Sequence, residues 1–531
     1  SLPGLSHDES ARAGSADDFE ASTRPVRTAY RQQSLRAPWR AARVDSAVRT
    51  GLHLGEGRLL VYAPFMDRAV GSVVRLPGDL ELSLNLVHYE AALGVALLQI
   101  NGGERRLPRK IRWEHGFDYT DTGAQLTIRG YRNGRLTRRT AFSSGMRSDV
   151  LIAGQVGASS ADRDRLAAAG MDRELPLLQF HDGGPGVAPG DTVYTAAGQI
   201  VGIVVRYNAS EESGLALPAA LLQSYAGLVD RLKPDANRSL VIDPGVQLVD
   251  PGGAAARRHY GLAESDSGPR LVSRVAATRV RANERLLRGD LILKWNGKGP
   301  DAAGRLSDSR YGSLPMAALA GLAAGRLQPP GTTVRLEVLR ERERRRIQIQ
   351  LRAGDATGAI VPVDFPRPAY LISGGLAFVE LSKAYLAERA GDGATAAPRL
   401  DYLATTVGVA GPERTRYVVL ERVLPLPDAE NRALRADLRT DRPLLLQSLN
   451  GIAIRNLRHL QALIRTALRE KRDLVFNLEE GHLIVLPGKD GGAALQALDR
   501  AVRARHGIAF LEGGLSAGSD HPSEPRKSAG K

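Results

Sequence analysis

The sequence predicts a mainly β chain in which a barrel domain is followed by two copies of an α+β module. Short strand-like runs separated by turn signals fill the first half, up to about residue 230. After them, an order of strand, Asn-Gly turn, amphipathic helix and closing strands occurs twice. The length of 531 residues fits about three domains at roughly 100–200 residues each.

The barrel domain is predicted over residues 45–230. Its strand-like runs follow one another at short intervals, in the order GRLLVYAPF, GSVVRL, LELSLNLV, VALLQI, QLTIRGY, DVLIAG and QIVGIVVRY. Regular short strands of this kind are typical of all-β barrels and sandwiches. The helix-like stretch LPAALLQSYAGLV closes the domain.

The two modules are predicted over residues 238–355 and 366–512. In each, an Asn-Gly pair, Asn296-Gly297 or Asn450-Gly451, ends a strand and predicts a tight turn. The helices that follow are predicted at LPMAALAGLAAGRL in the first module and NLRHLQALIRTAL in the second. In the first module, the charged run from Arg340 to Arg346 is interpreted as the solvated turn of a hairpin.

Residues 1–44 and 513–531 are rich in small and polar residues without apolar period, and we expect both to be flexible. The chain begins at Ser1 and contains no cysteine, which suits an oxidising compartment. We therefore expect a periplasmic or secreted bacterial protein whose signal peptide has been removed.

The formal net charge of +15 does not by itself indicate nucleic-acid binding, because the arginines are spread along the chain without a recognisable binding motif. Binding to an anionic surface stays open as an alternative function. No apolar run approaches the ~18–20 residues that a membrane span requires. The stretch HDGGPGVAPGD lacks the paired-ligand spacing of a zinc site, and we expect neither a metal nor a cofactor.

The second module contains the most distinctive sequence motifs in the chain. The stretches AYLISGGLAFVEL, LNGIAIRNLRHLQALI and FNLEEGHLIVL, followed by a late helix with ARHGIA, occur in an order that resembles the second PDZ region of the plant-type Deg proteases. The chain as a whole resembles the HtrA/Deg-type (DegP-like) serine proteases. This resemblance implies a trypsin-like double β-barrel followed by two PDZ-like α+β modules.

The resemblance also places the family's catalytic triad, and none of its residues is found here. The general-base histidine corresponds to Pro64, and the orienting aspartate to Gly94. The nucleophilic serine corresponds to Pro189 if residues are counted back from Gly198, or to Asp182 if the phrase HDGGP is matched instead. Because a hydroxyl needs a neighbouring base to become a nucleophile, we expect a degenerate member without this triad.

A rebuilt catalytic site is the alternative to this loss. Its candidate residues are His181 and Asp182 near the expected active-site loop, with His88, His115, Asp118 and the stretch Ser143-Ser144-Gly145 in the same domain. The competing interpretation is that these are surface or loop residues satisfied by local hydrogen bonds.

PDZ domains bind a C-terminal peptide as an added strand, with its carboxylate on a backbone loop and its side chain against a helix. In the second module the resemblance implies a site made of Ser373, Gly374, Gly375, Leu376, Phe378, His459, Leu460, Leu463 and Ile464. In the first module the corresponding loop, which lacks glycine, comprises Ser239, Leu240, Val241 and Ile242. Apolar helix positions such as Leu460 and Ile464 are also explained by core packing.

Two functions follow from these observations. The first is a noncatalytic pseudoprotease that serves as a scaffold or adaptor and binds protein or peptide C-termini. The second is an active serine endopeptidase of protein quality control with a rearranged triad. Homo-oligomerisation is left open.

Overall fold

The structure is a computed structural model, and it describes residues 16–102, 109–132, 134–150, 174–236, 238–243, 246–275, 286–353, 361, 368–391, 399–400, 402–403, 413–426, 442–509 and 512–513. The chain divides into two compact units. The described residues of unit 1 fall within Ser1–Gln32, Val44–Val156 and Gly170–Ala356. Those of unit 2 fall within Gln33–Arg43 and Thr357–Lys531.

Unit 1 opens with a six-stranded closed barrel in the order β1-β2-β3-β6-β5-β4. A short helix, α1 (Ala16–Ser22), precedes it. The strands are β1 (Thr23–Gln32), β2 (Arg43–Gly55), β3 (Arg58–Tyr62), β4 (Ala69–Leu76), β5 (Leu80–Glu90) and β6 (Val95–Ile100). Both α1 and β1 lie in the stretch that the sequence assigns to a flexible lead. The alternating burial of β1, with Val26 in the core, explains why this polar stretch forms a strand.

A second closed barrel follows in the order β10-β11-β12-β9-β8-β7. Its strands are β7 (Thr122–Arg132), β8 (Arg135–Val150), β9 (Glu174–His181), β10 (Thr192–Thr195), β11 (Ile200–Asn208) and β12 (Ser213–Pro218). Helix α2 (Ala219–Leu232) then buries Leu221, Leu222 and Tyr225, as its amphipathic sequence predicts. The predicted double barrel is confirmed.

The first module is built on the sheet β14-β15-β16-β21-β22. Its elements are β13 (Ile242–Asp243), β14 (Val246–Val249), α3 (Ala254–Tyr260), β15 (Arg270–Val275), β16 (Leu291–Trp295), β17 (Arg305–Asp308), β18 (Gly312–Pro315), α4 (Met316–Leu319), β19 (Leu322–Ala323), β20 (Arg326–Leu327), β21 (Thr333–Arg340), β22 (Glu343–Gln350) and β23 (Arg352–Ala353). The long helix predicted here is wrong. Only α4 is helical, because Ala324 and Gly325 take positive φ (48° and 71°) and turn the chain into the β19–β20 hairpin.

The second module, in unit 2, is built on the sheet β30-β29-β27-β26-β25-β24-β31. Its elements are β24 (Tyr370–Ser373), β25 (Leu376–Glu380), α5 (Lys383–Gly391), β26 (Val418–Val423), β27 (Leu444–Leu449), β28 (Ile452–Ala453), α6 (Leu457–Arg469), β29 (Leu474–Leu478), β30 (Leu483–Leu486), α7 (Ala493–His506) and β31 (Glu512–Gly513). Helix α6 packs its apolar face on this sheet through Leu457, Leu460 and Ile464. The mainly β class with an α+β module at this end is therefore confirmed.

Unit 2 also contains an inserted segment, Gln33–Arg43, which lies between β1 and β2 in the sequence. Its Leu35 N–H donates to Glu388 Oε2 at 2.7 Å. Trp39 packs edge-on against Tyr370 with 6.1 Å between ring centroids. The segment is thus an ordered part of this unit's packing, not the flexible lead predicted from its composition.

A buried carboxylate anchors the same segment. Arg36 Nε lies 3.1 Å from Glu421 Oε1, and the Glu421 side chain is almost fully buried. Arg389 and the Tyr385 hydroxyl contact the other oxygen. Burial, followed by the charge of Glu421, raises the pKa of Tyr385. Because a buried carboxylate needs such partners, Arg36 contributes to stabilising unit 2.

Candidate functional site

The two positions that correspond to the base and the orienting acid of a triad are neighbours in the first barrel. Strands β3 and β6 pair with Tyr62 opposite Val95, so Pro64 follows one strand where Gly94 precedes the other. The Ala63 N–H donates to the Gly94 carbonyl at 2.8 Å. A Cβ placed on Gly94 would lie 3.2 Å from the Cβ of Pro64. The two positions that the resemblance assigns to this pair therefore lie side by side, and neither a proline nor a glycine side chain can accept a proton.

The third position, Pro189, lies in the loop between β9 and β10. Around it, the Ala188 N–H donates to Asp191 Oδ2 at 2.9 Å and the Gly190 N–H donates to the Val204 carbonyl at 2.7 Å. Proline has no N–H, so this position also lacks the backbone donor that a serine would supply to an oxyanion. The other candidate, Asp182, follows the end of β9 and its side chain is 61% exposed.

The side chain of Arg49, on β2, lies near two of these positions. Its stem packs against Gly190, beside Pro189, and its guanidinium carbon lies 5.9 Å from the ring centroid of Phe65, beside Pro64. Burial lowers the pKa of Arg49. A long cation therefore lies beside the neighbours of two of these positions, and nothing in the sequence around Arg49 marks it for this place.

Tyr62 and Asp191 are polar neighbours of Arg49. Burial raises the pKa of Tyr62 to about 12, and its hydroxyl donates to the Val205 carbonyl at 3.4 Å. Asp191 is buried and pairs with Arg132 at 2.5 Å. Burial raises the pKa of Asp191 despite this ion pair. The Tyr62 hydroxyl thus contacts a neighbouring barrel strand, and the Asp191 carboxylate stabilises the loop between β9 and β10.

Some of the residues proposed for a rebuilt site do come together. Ser144 Oγ lies 2.8 Å from His181 Nδ1, and His181 Nε2 lies 3.5 Å from Asp182 Oδ2. The histidine and aspartate side chains are 45% and 61% exposed. A hydroxyl, an imidazole and a carboxylate in series are the groups that nucleophilic catalysis uses. Ser143, by contrast, is buried and accepts a hydrogen bond from the Gly145 N–H at 3.1 Å.

The remaining candidates have structural partners. His88 is fully buried, with Nδ1 2.9 Å from the Tyr225 hydroxyl and Nε2 2.8 Å from the Arg238 carbonyl. Asp118 accepts from the Thr120 hydroxyl at 2.6 Å, and this bond lowers its pKa. His115 is exposed. The interpretation of local hydrogen bonding thus holds for Asp118. His88 is instead a core residue of β5 whose hydrogen-bond partners are distant in the sequence.

The loop of the first module already holds a carboxylate. Oε2 of the buried Glu90 accepts the N–H groups of Leu240 and Val241 at 2.6 and 3.2 Å. Oε1 accepts the Ser239 hydroxyl at 3.0 Å. Ile242 continues into β13 and pairs with Ala353. The loop can bind a carboxylate without glycine, but in this structure the carboxylate belongs to the barrel strand β5.

In the second module the predicted loop is the turn of a hairpin. Gly374 and Gly375 take positive φ (57° and 87°) and join β24 to β25. The Gly374 N–H donates to Asp499 Oδ1 on α7 at 2.7 Å. Strand β25 is paired with β24 on one side and β26 on the other, so a peptide strand beside it would have to displace one of them.

The other predicted contacts of this module lie in its core. Phe378 stacks on Phe476 with 5.4 Å between centroids. The other predicted binding residues of this module are also fully or partly buried: Ser373, Leu376, Leu460, Leu463 and Ile464.

His459 lies at the start of α6, where its N–H donates to the cap residue Asn456 at 2.8 Å. Burial lowers the pKa of its imidazole. Its Nδ1 accepts the Arg455 N–H at 3.2 Å, so the ring is held at the start of the helix.

Residues 363–508 match the family model described as PDZ domain. No curated protein sequence matches the chain. None of the helices in the described ranges combines the length and apolar character needed to cross a membrane.

Similar solved structures include the HtrA-type protease AlgW with a decapeptide, at 16% identity and a TM-score of 0.43, covering 63% of this chain and 96% of that one. Another is the serine endoprotease from Yersinia pestis, at 18% identity and a TM-score of 0.39, covering 62% and 94%. Residues 363–508 are therefore a PDZ-domain segment, and in the described residues it follows a double barrel and a first α+β module.

Proposed function

We propose that this chain is a noncatalytic HtrA/Deg-like pseudoprotease that binds protein or peptide segments as a scaffold or adaptor. The observation that carries the proposal is the state of the three triad positions. Pro64 and Gly94 offer no base and no orienting acid, and the serine position is Pro189 or Asp182. Arg49 packs beside Phe65 and Gly190, the neighbours of Pro64 and Pro189. Removing a whole triad typically costs about 10⁶-fold in turnover.

The binding function rests on the PDZ-family segment and on two loops whose N–H groups are directed at carboxylates. The loop at Leu240 and Val241 binds Glu90, and the Gly374 N–H binds Asp499. A partner's C-terminal carboxylate would use the same donors and would have to displace these internal acids. We place this activity in the periplasm or outside the cell.

The noncatalytic part is tested by incubating the purified chain with casein and, separately, with a fluorophosphonate probe. We expect neither cleavage nor labelling. Probe-sensitive turnover of casein would contradict the proposal.

The binding part is tested with a pool of peptides carrying free α-carboxylates and with the same pool as C-terminal amides. We expect capture of the free acids only. Gly374→Trp, which fills the hairpin turn, should lose capture, whereas Gly451→Trp in an open turn should keep it. Unchanged capture by Gly374→Trp would place the site elsewhere.

A second candidate function is serine hydrolysis at Ser144, favoured by its hydrogen bond to His181 and the adjacent Asp182. In that case Ser144 Oγ attacks the substrate carbonyl, His181 accepts the proton and passes it to the leaving group, and water then hydrolyses the acyl-enzyme. Ser144→Ala would abolish fluorophosphonate labelling and Ser143→Ala would retain it. An absence of labelling in the unaltered chain removes this candidate.

A further inference from the structure

Strand β30 is an edge of the sheet in unit 2. Among the residues that the structure describes it pairs only with β29, in the register Val475 opposite Val485 and Phe476 opposite Ile484. An edge strand leaves N–H and C=O groups directed outward, and proteins usually guard it with charges, proline or a bulge. β30 is only four residues long and is followed by Pro487, but its own residues are all aliphatic and the register with β29 contains no bulge.

The hydrogen bonds between β29 and β30 determine which backbone N–H and C=O groups of β30 point outward. The Leu478 N–H donates to the His482 carbonyl at 2.9 Å, so hydrogen-bonded pairs continue at Phe476 with Ile484. In an antiparallel pair these alternate with pairs whose N–H and C=O groups point away. The backbones of Leu483 and Val485 therefore face outward.

The side chains of the same two residues are exposed. Leu483 is 57% exposed and Val485 is 54% exposed, which makes them the two most exposed large hydrophobic residues of β30 and its neighbour β29 in the described residues. Val475 lies across from Val485 on the same face and is half-buried. Unpaired backbone groups and exposed apolar side chains coincide at one strand.

We propose that β30 pairs with β30 of a second copy of this chain, antiparallel and about a two-fold axis at Ile484. Leu483 then exchanges two hydrogen bonds with the second copy's Val485, and Val485 exchanges two with the second copy's Leu483. The Ile484 residues face each other without hydrogen bonds, as the ladder's alternation requires. The two sheets become one, and four aliphatic side chains cover each other on its exposed face.

The charges at the ends of the strand are consistent with this partner. Glu480 lies before β30 and Lys489 lies after it, both with exposed side chains. Glu480 lies in the turn before the strand and pairs with Arg442, and Lys489 pairs with Asp473. Antiparallel pairing places the end of the strand that carries Glu480 beside the end of the second copy's strand that carries Lys489. A two-fold pairing brings opposite charges together at both ends, because an isologous interface uses each patch twice.

A short strand pair buries less than the roughly 800 Å² per partner of a standard stable interface. We therefore expect a dimer that dissociates on dilution. Sedimentation velocity of the full chain at rising concentration measures this association, with Val485→Lys as the test variant. Val70→Lys is the matched control, since Val70 is a valine of similar exposure (56%) on β4 of the first barrel.

We expect the unaltered chain and Val70→Lys to associate alike, and Val485→Lys to raise the dissociation constant at least tenfold with unchanged circular dichroism. A Val485→Lys variant that associates as the unaltered chain does would overturn the proposal. So would a chain that stays monomeric at every concentration, or an edge that binds an added HLIVLP peptide without self-association.

The register is tested separately in the cysteine-free chain. Hydrogen-bonded antiparallel residues have Cα atoms about 5.5 Å apart, within the range for a disulfide. Leu483→Cys combined with Val485→Cys should give a covalent dimer on mild oxidation, and Val70→Cys should not. A double variant that stays monomeric after oxidation contradicts this pairing.

Discussion

Glu90 shows how a single side chain can decide what a binding loop does. Its carboxylate accepts the N–H groups of Leu240 and Val241, the Ser239 hydroxyl and, at 3.2 Å, the Ala92 N–H. A loop built to hold a carboxylate is stabilised by this internal one. Any external ligand at the first module has to compete with a ligand that is covalently part of the chain.

We expect Glu90→Gln to destabilise unit 1 by about 2–4 kcal/mol, because an amide nitrogen cannot accept and leaves buried donors unpaired. Urea unfolding followed by tryptophan fluorescence measures the loss. Glu81→Gln is the control, since Glu81 forms exposed pairs with Arg27 and Arg75, and its loss should stay within about 0.5 kcal/mol. Equal stabilities for the two variants would contradict the role of Glu90.

His53 gives unit 1 a pH dependence. Its Nδ1 donates to the Arg109 carbonyl at 2.7 Å, and its Nε2 is buried without a partner among the described residues. Burial, followed by the nearby charges of Lys110 and Arg24, lowers its pKa. Between this lowered pKa and the unfolded value of about 6.5, the unfolded chain binds the proton and the folded chain does not.

Stability contributed by His53 is therefore complete above about pH 6.5 and is lost as the pH falls below it. In His53→Asn the amide can keep the bond to the Arg109 carbonyl but cannot be protonated. We expect a smaller difference in urea midpoint between pH 7.5 and pH 5.5 in this variant. An unchanged difference would assign the pH dependence to other groups.

At the scale of elements, the positions of the hairpin turns could be predicted from the sequence, but the length of the helix in the first module could not. Asn296-Gly297 and Asn450-Gly451 take the positive φ angles of tight hairpin turns, as their sequence predicts. The run from Arg340 to Arg346 forms the expected solvated hairpin, with its turn at Glu341 and Arg342. The alanine-rich stretch after Met316 has helix propensity, but its glycines and tertiary packing favour a hairpin there.

The Gly374–Gly375 turn allows a matched test of packing. A Cβ on Gly374 would lie 2.6 Å from a Leu486 methyl, whereas one on Gly451 would meet nothing within 4 Å. Both glycines have positive φ, so both alanine variants incur a similar backbone cost of about 1 kcal/mol. We expect Gly374→Ala to lose about 1–3 kcal/mol more than Gly451→Ala in urea unfolding. Equal losses would mean that the turn moves freely.

Across the whole molecule, the order of the domains and the double barrel could be predicted, because strand runs and repeated modules are local signals. The side chains that fill the candidate sites could not be predicted from the sequence. Arg49 meets Gly190, and Glu90 meets Leu240, only after distant strands have paired. Composition was misleading for Gln33–Arg43, whose order depends on contacts with residues more than 300 positions later.

Trp39 tests that long-range packing. Its ring contacts Tyr370, and the Arg422 guanidinium lies 5.8 Å from its centroid. We expect Trp39→Ala to speed hydrogen exchange in residues 370–380 and 418–423, at a cost of about 1–3 kcal/mol to unit 2. Exchange in both barrels should be unchanged, and Arg40→Ala, at an exposed neighbour, should leave the whole pattern as it is. Faster exchange in the barrels alone would contradict this assignment.

The early position of the inserted segment in the sequence also affects when unit 2 can fold during synthesis. Its partners run to about residue 508, so Leu35 and Trp39 emerge long before the surfaces that cover them exist. At translation rates of roughly 5–20 residues per second, these apolar side chains remain without their partners for roughly 20 to 90 seconds. During that interval the nascent chain presents a ready target for a chaperone, and unit 2 cannot be completed before about residue 508 has been synthesised.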